Sequence, residues 1–107
     1  MYIVTNTTKI RKDEGYKLVD RFDKVGKVEY MEGFLGLEVM LADKLKDYDE
    51  VSVVTRWENE AAFKNWVQSD AFKESHSHKG GGKPDYILSN KISFQNVRVT
   101  RNPILAH

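Results

Sequence analysis

The chain reads as an α+β fold of order β-α-β-β-α-β, the split arrangement of ferredoxin-like domains. Segments rich in β-branched or alternating apolar residues stand at 2–10, 34–41, 50–57 and from 86 onward. Helically spaced apolar residues fill the first and third intervals, at 18–26 and 59–68, while a short polar connection at 43–49 fills the second. At 107 residues the chain has room for one core, so it is expected to form a single domain over 1–107, with a tail from about residue 101.

In the first strand the two-residue period puts Tyr2, Val4, Asn6, Thr8 and Ile10 on one face. Asp13 is placed to cap the helix that follows. There Leu18, Val19, Phe22, Val25 and Gly26 recur at helical spacing, with Lys17, Asp20, Arg21, Asp23 and Lys24 on the wet side. The helix is expected to end near Gly26, and 28–31 to add a turn before Gly33. In the second strand Leu35, Leu37, Val39 and Leu41 alternate on one face, and Phe34 and Met40 serve the other. Helices on one side of the sheet cannot bury both sets. The pattern therefore predicts a homodimer packed sheet on sheet, driven by four side chains worth roughly 1.5–3 kcal/mol each.

The third strand ends at Trp57, read as structural, with Arg56 pointing the other way. A second helix starts near 58 or 59, runs to 68 and turns Ala62, Phe63, Trp66 and Val67 inward. Ser69 or Asp70 then reads as a fresh N-cap, which predicts a break and a short helix over 71–75. Residues 76–85, with Gly80-Gly81-Gly82-Lys83-Pro84, read as a loop. Residues 86–99 form the last strand or strand pair.

The net charge of +1 gives no electrostatic case for nucleic acid or an anionic membrane as partner. With no cysteine, the chain has no disulfide, thiolate metal site, iron–sulfur cluster or thiol nucleophile, and it suits a reducing cytoplasm. The first residues lack the basic start and apolar run of a signal peptide, and no apolar stretch approaches the roughly 20 residues that cross a bilayer. A cytoplasmic protein with no membrane association is expected.

Three residue types carry the chemistry. Asn6 sits mid-strand on the face that helices cover, and a buried amide left unpaired costs about 1–3 kcal/mol, so it must bond to backbone, water or a ligand. Trp66 reads as core by periodicity alone. His76, one helical turn after Phe72, suits an axial haem ligand, since an imidazole with a free pKa of roughly 6.5 is mostly neutral at pH 7. With His78 it also suits part of a zinc site, but further ligands do not stand out. The stretch 79–83 lacks the full phosphate-loop pattern and Pro84 blocks a following helix, so it reads instead as a glycine-rich flap beside His76.

These residues together resemble a known family. Asn6, the run Phe63-x-x-Trp66-x-x-Ser69-x-x-Phe72-x-x-x-His76, then His78, and Glu32-Gly33-Phe34-Leu35-Gly36-Leu37 are similar to the Isd-type bacterial haem-degrading monooxygenases of the antibiotic-biosynthesis-monooxygenase group. The resemblance implies a dimeric α+β barrel binding one haem per subunit, with haem as both cofactor and substrate. It implies ring opening with O₂ and an external electron donor, delivered by an unidentified reductase, to give free iron and a linear tetrapyrrole for iron acquisition. It assigns His76 as the proximal iron ligand, Asn6 as the distal hydrogen-bond donor, and Trp66 as the residue that presses the porphyrin out of plane. On one straight helix Trp66 and His76 would stand about 15 Å apart on different faces. The break at 69–70 is what lets both address one flat ligand. Two other readings share these residues: a cofactor-independent monooxygenase acting on a small aromatic substrate, and a non-catalytic haem carrier.

Overall fold

A computed structural model describes residues 1–75 and 84–105. Four strands, β1 (Tyr2–Arg11), β2 (Phe34–Leu41), β3 (Tyr48–Trp57) and β4 (Ile87–Asn96), form one sheet in the order β2-β3-β1-β4. All neighbours are antiparallel. The helices α1 (Tyr16–Arg21), α2 (Glu60–Gln68) and α3 (Asp70–Ser75) occupy the predicted intervals, with a 3₁₀ turn at Lys27–Tyr30. This is the ferredoxin-like order expected. No described helix is long and apolar enough to cross a membrane.

The even residues of β1 do face the helices, and they build two separate clusters. Tyr2 and Val4 pack with Trp57 and Ala62 at one end of the strand. Ile10 packs with Leu18, Val51 and Tyr86 at the other. Asn6 falls between them. Trp57 is fully buried, stands edge-on to Phe34 with ring centroids 5.3 Å apart, and donates its Nε1–H to Thr55 Oγ1 at 2.9 Å. Arg56 turns to the opposite face and pairs with Glu38.

Three local expectations are corrected. Asp13 does not cap α1; it sits in the left-handed region (φ 68°), which Asp tolerates, and the N-cap is Gly15. The carboxylate that satisfies this helix start comes from the distant Asp49, whose Oδ2 accepts the Gly15 N–H at 2.9 Å. The first helix also stops at Arg21 rather than near Gly26. The Gly26 N–H, which a continuing helix would need, is taken by the Glu29 carboxylate at 3.1–3.2 Å, and this starts the 3₁₀ turn instead. Phe22 and Val25 are consequently 40% and 74% exposed, not core residues.

The second strand is the third correction. Pairing in register with Thr55, Val53 and Val51 places Leu37, Val39 and Leu41 on the same face as Asn6, toward the helices. A bulge between Phe34 and Gly36 brings Phe34 to that face as well, opposite Trp57. The outer face carries Thr5, Thr7, Glu38, Met40, Ser52, Val54, Arg56, Ser93 and Gln95 instead, a mostly polar surface. The register with β3 thus turns Leu37, Val39 and Leu41 toward the helices, and the bulge brings Phe34 across to join them, leaving Met40 on the outer face.

Asp49 also gives a pH prediction. The Gly15 N–H, with help from the Asp13 N–H and Lys12, holds its carboxyl below the ordinary carboxylate range. A depressed folded pKa stabilises fully above the unfolded value of about 3.9 and loses that contribution as pH falls through the folded value. Asp49→Ala is expected to lower stability by about 1 kcal/mol at pH 7, the usual weight of a helix cap. Urea titrations of both proteins should show the gap closing below about pH 4.

Candidate active site

Between the sheet and the helices lies a cavity of about 1090 Å³, at the upper end of the roughly 300–1,000 Å³ usual for small-molecule sites. Its floor is the helix-facing side of the sheet: Val4 and Asn6 from β1, Leu37 from β2, Val53 and Thr55 from β3, Ile92 and Phe94 from β4. One wall is Phe63, Trp66 and Val67 of α2 with Phe72 of α3, and the other is the segment 21–29. The apolar side chains Phe22, Phe63, Val67 and Phe72 all line it.

The floor is apolar at its centre except for one group. Asn6 stands in register with Val53 on one side and Ile92 on the other. Thr55, the other polar floor residue, already accepts the Trp57 indole N–H. The Asn6 side-chain oxygen accepts a hydrogen bond from Asn90 Nδ2, which also donates to Thr8 Oγ1 at 2.8 Å. Among the described residues no hydrogen bond engages Asn6 Nδ2, so the amide offers a neutral donor at the cavity floor.

Trp66 reaches the same cavity because of the chain break that follows it. Ser69 Oγ accepts the Phe72 N–H at 3.1 Å and donates to the Trp66 carbonyl at 2.6 Å, ending one helix and capping the next as expected. The turn sets Phe72 edge-on against Trp66, with ring centroids 5.5 Å apart. Trp66 is half-buried and packs on the Tyr2–Trp57 cluster, so it belongs to the core on one side and lines the cavity on the other. Both readings of its periodicity hold at once.

Arg21, Lys24 and Lys27 stand at the cavity rim beside Asp23 and Glu29. Lys27 Nζ bonds Glu74 Oε2 at 2.6 Å, which links the 3₁₀ turn to α3 across the mouth and holds the Glu74 carboxyl below its usual range. His76, His78 and the glycine-rich segment lie outside the described residues, although Phe72, four positions before His76, lines the cavity. Asn6 and Trp66 therefore share one space, as the sequence required. Asn90 was missed, since an Asn in an edge strand gives no sign of the partner across the sheet.

The profile of the antibiotic biosynthesis monooxygenases matches residues 1–77, a span from β1 through α3. The chain belongs to the antibiotic biosynthesis monooxygenase family. This family member is 59% identical over 106 residues to a protein of Halalkalibacterium halodurans named heme-degrading monooxygenase, a match covering 99% of this chain and 90% of the relative. A Bacillus cereus structure described as an antibiotic biosynthesis monooxygenase superposes with a TM-score of 0.85 at 28% identity, covering 95% of this chain and 97% of the other. The heme-degrader MhuD of Mycobacterium tuberculosis, solved with two hemes in its active site, shares the fold at a TM-score of 0.70 and 24% identity, over 95% and 100% of the two chains. The resemblance to haem-degrading members of the antibiotic biosynthesis monooxygenases, carried by the Asn, Trp and His motif, is thus upheld by relatives that match along nearly the full length.

Proposed function

We propose that the chain is a haem-degrading monooxygenase, opening the porphyrin ring of bound haem with O₂ and reducing equivalents supplied from outside. The observation that carries this is the cavity itself: a large apolar space lined by Asn6 on its floor and Trp66 on one wall. Haem fits its chemistry. The floor of Leu37, Val53, Ile92 and Phe94 suits the macrocycle, and Arg21 and Lys24 at the rim suit its two carboxylates. When bound, haem supplies both the iron that activates oxygen and the ring that is opened.

The protein's part is to hold, bend and polarise. His76 would hold the haem iron through its neutral imidazole. Trp66, backed by the core and braced by Phe72, would press a stiff indole against a flat ligand. Asn6 directs an N–H donor at the distal side without adding a titrating group.

We also assign a homodimer. The radius of gyration is 15.8 Å, against about 13 Å for a compact chain of this length. Residues 97–105 run off the sheet with Val99 74% and Ile104 96% exposed, apolar surface that a second copy would cover. Sedimentation should give twice the chain mass, and a monomer at micromolar concentration would remove this assignment. A cytoplasmic setting, which a chain without cysteine suits, would supply the reductant and the reductase.

The test is an absorbance time course of the haem complex with ascorbate under air. The Soret band is expected to decay as iron is released. A stable band under these conditions would make the protein a haem carrier. Failure to bind haem, with O₂ uptake on a phenolic compound, would replace the reading by cofactor-independent oxidation.

A further inference from the structure

We propose that Asn90 on β4 is a positioning residue that fixes which end of the Asn6 amide faces the cavity. The inference deepens the haem reading and rests on it for its consequence, though not for its geometry. In the β1–β4 register Asn90 lies directly across from Thr8 and diagonally from Asn6, on the same face. Its Nδ2 carries two hydrogens, one donated to Asn6 Oδ1 and the other to Thr8 Oγ1. Thr8 is only 5% exposed and sits between the two packed clusters, so it anchors the fork.

A carboxamide has a donor end and an acceptor end of nearly equal size, and the torsion that exchanges them is broad and roughly two-fold. Shape alone therefore cannot orient Asn6 between Val53 and Ile92. Asn90 does so in the arrangement seen here, where its Nδ2 end is turned to both Asn6 and Thr8 and an NH₂ group only donates. By holding Asn6 Oδ1 against β4 it leaves Asn6 Nδ2 as the end offered to a ligand. Without it, Asn6 would present its oxygen part of the time and repel an electron-rich ligand atom. β4 is an edge strand, so a side-chain change there disturbs only one neighbouring ladder.

Asn90→Asp makes the sharpest test. It keeps the shape but replaces the donor by an acceptor, so Asn6 must turn its N–H toward position 90 and its oxygen toward the cavity. In haem-free protein, ¹⁵N-edited NMR is expected to show the Asn6 side-chain NH₂ pair shifting downfield and exchanging more slowly with solvent than in the wild type. In the ferric haem complex, cyanide affinity should fall roughly tenfold, the weight of one hydrogen bond to an anion, with haem affinity changed less than twofold. Asn6→Ala should lower cyanide affinity about as much, and the double variant no further. Should the aspartate variant not fold, Asn90→Ala carries the same comparison, with averaged Asn6 NH₂ signals and a smaller loss of cyanide affinity. An unmoved Asn6 NH₂ pair, or additive losses in the double variant, would overturn the proposal. Loss of haem binding by the wild type would sink the haem reading alone, since the NMR comparison needs no haem.

Discussion

Asn6→Ala is expected to bind haem with nearly wild-type affinity and to degrade it about 10²–10³-fold more slowly, the usual consequence of removing one preorganised donor from a site. The residue lines the cavity through its side chain alone, and its backbone stays in the β1 ladder with Val53 and Ile92 across from it. Truncation therefore leaves the fold in place. Asn90 keeps its bond to Thr8, so no buried donor is orphaned, and the stability change should stay within about 1 kcal/mol. His76→Ala should do the opposite: the axial ligand is lost, the Soret band no longer shifts to that of a ligated complex, and haem washes out on gel filtration. Titration and the ascorbate time course on both variants distinguish the two roles. Wild-type turnover by the alanine variant at position 6 would remove the distal assignment.

The architecture was legible because each of its signals is local. Strand alternation, the Ser69 cap and the Ala62–Phe63–Trp66–Val67 stripe depend on residues a few positions apart, and each element formed where those patterns stood. The errors came where a distant residue decided the outcome. Asp13 lost the cap to Asp49, which lies 34 residues beyond the Gly15 it bonds. The bulge beside Gly36 moved Phe34 to the helix-facing side, and Glu29 claimed the Gly26 N–H that a longer α1 would need.

The candidate site divides in the same way. Asn6 stands out in the sequence as an amide on a strand face that helices cover, whereas Trp66 reads as core by periodicity and is singled out only by spacing that resembles a family motif. Asn90 was missed, since its role exists only through the β1–β4 register and lies beyond the span the family profile matches. The rim cations were equally hidden, as Arg21 and Lys24 look like the wet side of a helix until the chain leaves helical geometry after Arg21.

Gly33→Ala is expected to be strongly destabilising. Gly33 has φ +82°, a conformation that penalises any side chain, and a Cβ built there would stand 2.5 Å from the Cβ of Ala62 on α2. Left-handed strain of about 1–2 kcal/mol adds to overpacking of about 1–3 kcal/mol, and the sum should lower the melting temperature by on the order of 10 °C or more. The clash cannot be relieved cheaply. The Gly33 carbonyl accepts the Glu58 N–H at 2.8 Å just before α2, and Ala62 is buried in the Tyr2–Trp57 cluster. If α2 yields instead, Phe63 and Trp66 move with it and the cavity wall shifts, so haem affinity should fall along with stability. Adding Ala62→Gly to Gly33→Ala separates the two contributions. The steric part should be recovered as a favourable coupling in the double-variant cycle, while the backbone strain remains. A melting temperature within 2 °C or so of wild type for Gly33→Ala, smaller than about 1 kcal/mol of change would produce, would show that the close approach of β2 and α2 is not what holds this wall in place.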